Sequence, residues 1–159
     1  MNVLKALTFL AATLGIGTSP ITSADPADSF CDEPRAAAGW HYEVFASGLP
    51  RADNIAVGAE GEVYVSLEVG KGEGQVVRLR DGRRQIVAEG LDRPDGLALT
   101  PSHLYVTEEV WRGRLIRVDL ADMSRTVLAR LNKPEGVDIL PDGSLVVAED
   151  YPGGRLLRV

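Results

Sequence analysis

The sequence is poor in the residues that usually carry thiol, imidazole and nucleophile chemistry. Cys31 is the single cysteine, and His41 and His103 are the only histidines among 159 residues. One thiol excludes an intramolecular disulfide and any cysteine-based metal cluster. Cys31 reads as a free thiol in an N-terminal tail, with an intermolecular disulfide as the alternative. No serine elbow with histidine and acid partners appears, and no phosphate-binding glycine motif precedes a helix, which argues against nucleophilic catalysis and nucleotide binding. A sustained helical period is missing as well, which excludes an α-helical fold class. So is a long apolar run: the 11 residues from Ala6 to Ile16 fall well short of the roughly 20 that a spanning helix needs.

That short run follows Lys5 and leads into Thr22-Ser23-Ala24, the pattern of a cleaved secretory signal. The expectation is a signal peptide over 1–24, a tail over 25–40, and an exported protein, secreted or periplasmic. Losing Lys5 takes the formal charge from −6 to −7. An acidic surface argues against nucleic acid and membranes as partners and is compatible with cations.

What the chain has in abundance is a repeat. "LPRADNIAVGAEGEVYVSLE" from Leu49, "LDRPDGLALTPSHLYVTEE" from Leu91 and "LNKPEGVDILPDGSLVVAED" from Leu131 recur at the period of a propeller blade. Each continues into a third apolar segment, at 75–80, 114–119 and 155–159, and the first two into a fourth, at 84–90 and 125–130. Turn signals such as Asp81-Gly82 and Asp142-Gly143 separate them, so the prediction is all-β, with three four-stranded antiparallel blades over 41–159. The third copy lacks its fourth strand, and "YEVFASGLP" at 42–50 aligns with the fourth strands of the others. The N-terminal segment is therefore expected to supply the outermost strand of the last blade. Closed propellers typically have four to eight blades, so three leave a homodimer closing a six-bladed ring, a shortened relative, or an open arc.

In an antiparallel blade the start of the first strand lies beside the end of the second. That places Asp53 near Glu68, Asp95 near Glu109 and Glu135 near Asp150, six carboxylates at one end of the blades. Oxygen ligands at this density suit a hard cation such as calcium. The competing reading pairs them with Arg51, Arg93, Lys133 and Arg112. Trp111 and Tyr151, in glycine-bearing loops at the same end, are either stacking platforms for a flat small molecule or carbohydrate, or covers for the rim of a neighbouring blade. Arg78, Arg117 and Arg158 recur at one position of the third strand and read as structural ion pairs.

"RPDGLALTPSHLYVTEE" and "KPEGVDILPDGSLVVAED" resemble the repeats of the six-bladed propeller superfamily that includes senescence marker protein and gluconolactonases, NHL-repeat proteins and sorbosone dehydrogenases. The closing "PDGSLVVAEDYPGGRLLRV" resembles most the last blade of a sorbosone-dehydrogenase-like protein. In the lactonase branch the residue between proline and glycine often faces the axis and binds a divalent cation, commonly calcium, which implies such a role for Asp53, Asp95 and Glu135. The chain departs from the family's "PNG" in having "PDG", and "ADN" with Asn54 shifted by one. The resemblance implies a metal-assisted lactone or ester hydrolase. A non-catalytic propeller that binds protein or carbohydrate is the alternative, and a fragment of a quinone-dependent sugar dehydrogenase is a third, for which no catalytic base maps onto the chain.

Overall fold

A computed structural model describes residues 34–159. The expected signal segment and Cys31 lie outside the described residues. Residues 34–43 are exposed and carry no strand, with one turn in which the Trp40 N–H donates to the Ala37 carbonyl at 3.0 Å. Val44–Val159 forms the compact unit.

Eleven strands make up the described fold, and each of its sheets follows chain order. β1 (Ala52–Val57), β2 (Val63–Leu67), β3 (Gly74–Arg80) and β4 (Arg83–Leu91) form blade 1. β5 (Pro94–Leu99), β6 (His103–Glu108), β7 (Gly113–Asp119) and β8 (Arg125–Leu131) form blade 2. β9 (Pro134–Ile139), β10 (Leu145–Glu149) and β11 (Leu156–Arg158) form a three-stranded blade 3. All pairings are antiparallel. These are the β-rich, turn-punctuated segments of the repeat. Asp81 and Gly82, with φ of 50° and 68°, make the tight turn that keeps β3 and β4 in register.

Strands covered on both faces need apolar residues on both. Ile55, Val65, Val77 and Ile86 are cross-strand partners on the front face of blade 1, and Ser66, Val76 and Ala88 lie on its back. The back of blade 1, including Tyr64, Val76, Ala88 and Leu91, packs on Leu97, Val106 and Ile116 from the front of blade 2. In the same way, Tyr105 and Leu115 from the back of blade 2 meet Val137 and Val147 of blade 3. Gly96 permits the second junction. A Cβ there would stand 2.9 Å from the Val137 nitrogen and 3.0 Å from the Gly136 Cα, and closer still to the Glu135 carbonyl oxygen.

The structure corrects the expected ring closure. Residues 42–49 form no strand, and β11 pairs with β10 alone. The reason is geometric: β5 lies between β1 and β9, so blade 2 separates β11 from the segment that leads into β1. Phe45, Ala46, Ser47 and Leu49 instead flank the β3–β4 hairpin in a groove of about 520 Å³, and Leu49 packs on Val65, Leu67, Val77 and Leu79.

A buried glutamate, paired with an arginine at the surface, ties each later blade to the linker before it. Glu108 accepts the Asp92 N–H at 2.8 Å and is gripped by the Arg114 guanidinium, and Glu149 accepts the Asn132 N–H at 2.6 Å and two bonds from Arg155, at 2.9 and 2.7 Å. The Asn132 N–H, followed by Arg155, holds the Glu149 carboxyl below its ordinary range. Blade 1 has Pro50 at the linker position and Leu67 and Gln75 in place of the pair. Proline offers no N–H, so a buried glutamate there would lose its backbone donor. Removing Arg114 leaves the Glu108 charge buried without its partner. Arg114→Leu is expected to destabilise by about 3 kcal/mol, read by urea unfolding; a change near zero would mean that water solvates Glu108.

Candidate functional site

Every blade begins with the same irregularity. Ala52 faces Leu67 while Ile55 faces Val65, Pro94 faces Glu108 while Leu97 faces Val106, and Pro134 faces Glu149 while Val137 faces Val147. Each innermost strand thus carries one extra residue, a β-bulge, and bulges re-aim side chains beside functional sites. Asp53, Asp95 and Glu135 occupy the three bulges. Asp95 is buried, while Asp53 and Glu135 are exposed.

These three are brought together electrostatically. The Asp95 carboxyl is raised from 3.8 to about 7, first by burial, then by repulsion from Asp53 and Glu135, a hydrogen bond with Asp53, and repulsion from Glu109. Like charges sharing a site cannot all ionise at ordinary cost. Two hydroxyls support the bulges. Ser66 Oγ accepts the Asn54 N–H at 2.9 Å and donates to the Asn54 carbonyl at 3.3 Å, and Thr107 donates to the Glu135 carbonyl across the junction of blades 2 and 3.

The other predicted ligands are taken up differently. Arg93 pairs with both Glu68 and Glu109, and Lys133 pairs with Glu109 at 3.1 Å and Asp150 at 3.3 Å. Acid and base alternate across the three blades, each linker cation bridging the acid of the blade before it to that of its own. The hydrogen bond to Glu109 is the first cause that holds the Lys133 ammonium above its ordinary range. Arg51, Arg93 and Lys133 adopt φ of 52°, 49° and 48°, a left-handed conformation uncommon for bulky side chains. Asn54 engages Ser66 through its backbone. Trp111 and Tyr151 face one another, ring centroids 5.7 Å apart, with Trp111 largely exposed.

Of the recurring arginines, Arg78 donates to Gln85 at 2.6 Å, and Arg158 donates to Ser144 at 2.8 Å and pairs with Asp142. The sequence reading missed the Glu108–Arg114 and Glu149–Arg155 pairs and the Ser66 and Thr107 supports. The six-residue spacing from glutamate to arginine in both later repeats was the available signal. At the other end of the strands, Glu60, Glu62, Arg80, Ser102 and Asp119 help line a groove of about 580 Å³ that contains none of the three bulge acids.

Three antiparallel sheets stacked face to face, each opening on a bulged strand with its acid at the same end, define the blades of a β-propeller. Solved structures share this fold. A gluconolactonase from Xanthomonas campestris aligns at a TM-score of 0.57 and 21% identity, over 74% of this chain and 48% of its own. A putative glucose dehydrogenase from Thermus thermophilus aligns at 0.53 and 19%, over 67% of this chain and 39% of its own. A luciferin-regenerating enzyme aligns at 0.53 and 17%, over 67% and 41%. The chain spans less than half the length of each. No known family profile and no curated protein matches the sequence.

Proposed function

We propose that the axial face of this propeller unit binds a divalent cation such as calcium through Asp53, Asp95 and Glu135, and that the exported protein is a metal-assisted hydrolase of lactones or esters. The observation that carries the reading is the carboxyl of Asp95, buried beside two other acids and raised to about 7. A hard cation relieves that repulsion, and the donors are the oxygens it prefers. Among the described residues no group of acidic, histidine or cysteine side chains is already arranged to hold a metal. Binding would therefore require the exposed Glu135 to turn toward the Asp53–Asp95 pair. The cation would supply polarisation of a carbonyl. A carboxylate of this face would take a proton from water and return it to the leaving oxygen. Trp111 and Tyr151 would border the bound small molecule. Export rests on the sequence of residues 1–24 alone.

Calcium at a hundredfold excess over Kd is expected to stabilise the fold by about 2.7 kcal/mol, more readily above pH 7 than below. Asp95→Ala and Glu135→Ala are each expected to abolish that gain and the chelator-sensitive opening of a lactone ring. A melting temperature indifferent to calcium would refute the cation and the hydrolase together, leaving the non-catalytic propeller.

A further inference from the structure

The two faces at the ends of the blade stack are unlike their counterparts inside it. Ile55 on the front of blade 1 is 60% exposed, whereas Leu97, at the same place in blade 2, is 7% exposed against the blade before it. Leu156 on the back of blade 3 is 76% exposed, whereas its counterpart Leu115 is 0% exposed against the blade that follows. Val57 and Phe45 are exposed alongside Ile55. One face is built as a front and the other as a back, so the pair is complementary.

Three further features concern the same two faces. Gly136 occupies the place of Gly96, where close approach of the next blade excludes a side chain, yet a Cβ on Gly136 would meet nothing within 4 Å, and its backbone lies outside the left-handed region. Nothing in the described chain demands glycine there; a blade docked behind blade 3 as closely as blade 3 docks behind Gly96 would, whereas blade 2 docks behind Asn54 at this place in blade 1. Arg51 is the counterpart of Arg93 and Lys133 but pairs with no acid among the described residues, and Asp150 is exposed at the far end of the ion-pair series. The series continues if the Arg51 of another copy reaches Asp150. Finally, β11 presents an unpaired edge, and residues 44–49, whose sequence aligns with β4 and β8, form no strand within the described chain.

We propose that a second copy of this chain occupies these faces: blade 3 of one copy docks on the front of blade 1 of the other, β11 pairs with residues 44–49, and the contact is repeated by the two-fold. The interface continues the one already formed between blades 1 and 2 and between blades 2 and 3. Repeated twice in a ring, it brings the blades to six, within the usual range for closure, and gives β11 the outer partner that β3 and β7 already have. The docking rests on blade geometry and is independent of the cation reading.

The register of β3 with β4 pairs Val77 with Ile86 and Val76 with Ala88. Transferred to the new contact, it sets Leu157 opposite Val44 and Leu156 opposite Ala46. Light scattering of the full chain is expected to give twice the single-chain mass. Gly136→Leu, which has open space in the isolated chain, is expected to keep the native circular dichroism and return the mass to that of one chain. In a Cys31→Ser background, Val44→Cys with Leu157→Cys is expected to yield a disulfide-linked dimer on a non-reducing gel. A single-chain mass for the unaltered protein at every concentration would overturn the proposal. A doubled mass that persists in Gly136→Leu, with no linked dimer from the cysteine pair, would do the same by placing the contact elsewhere.

Discussion

Gly96→Ala is expected to cost about 3 kcal/mol and to lower the melting midpoint by about 10 °C. The added Cβ sets backbone against backbone. It would press on the Glu135 carbonyl oxygen, the Val137 nitrogen and the Gly136 Cα, none of which can rotate away as a side chain can. Relief requires blade 3 to move off blade 2, opening the cluster of Leu115, Leu145 and Val147 and breaking the Thr107 bond to the Glu135 carbonyl. Differential scanning calorimetry of the variant checks it, with Gly136→Ala as the control under conditions where the chain is monomeric. Equal midpoints for the two would show that the blades separate without penalty.

Asp95→Asn is expected to stabilise the protein at and above neutral pH in the absence of a cation, and to flatten its stability between about pH 4 and pH 7. The folded-state carboxyl is raised from 3.8 to about 7, so within that window the native state holds a proton that the unfolded state has released. Stability contributed by this group is complete below the unfolded value and declines as pH rises through the folded one. Each tenfold difference in proton affinity between the two states corresponds to about 1.4 kcal/mol, so the accumulated loss amounts to a few kcal/mol. It belongs to the coupled cluster of Asp53, Asp95 and Glu135 rather than to one site. The measurement is the difference between the native and Asp95→Asn stability curves in urea from pH 4 to 8, with chelator. Parallel curves would mean that Asp95 ionises normally and that the three acids do not share a site. If calcium binds as proposed, its addition should remove the advantage of the asparagine variant at high pH.

Both effects arise where a repeated sequence position meets a particular neighbour. The acid at 53, 95 and 135 was legible because it recurs at a fixed offset in each repeat. What each acid does was not. Asp95 lies between two blades and is buried, whereas Asp53 and Glu135 have a blade on one side only and remain exposed. Similarly, the place of Glu68, Glu109 and Asp150 in the repeat suits a ligand, but Arg93 and Lys133, one blade junction away, take them into ion pairs.

The all-β class, the blade period, the antiparallel pairing and the end of the blades at which the acids gather were all legible in the repeat. These follow from local alternation, turn chemistry and periodicity, which neighbouring residues specify. Where residues 44–49 lie, which carboxylates pair with Arg93 and Lys133, and why Gly96 but not Gly136 is confined emerged from the packing of the blades. Those depend on which blade stands next to which. A repeat writes the same residues into every blade, and only the stacking tells an inner face from an outer one.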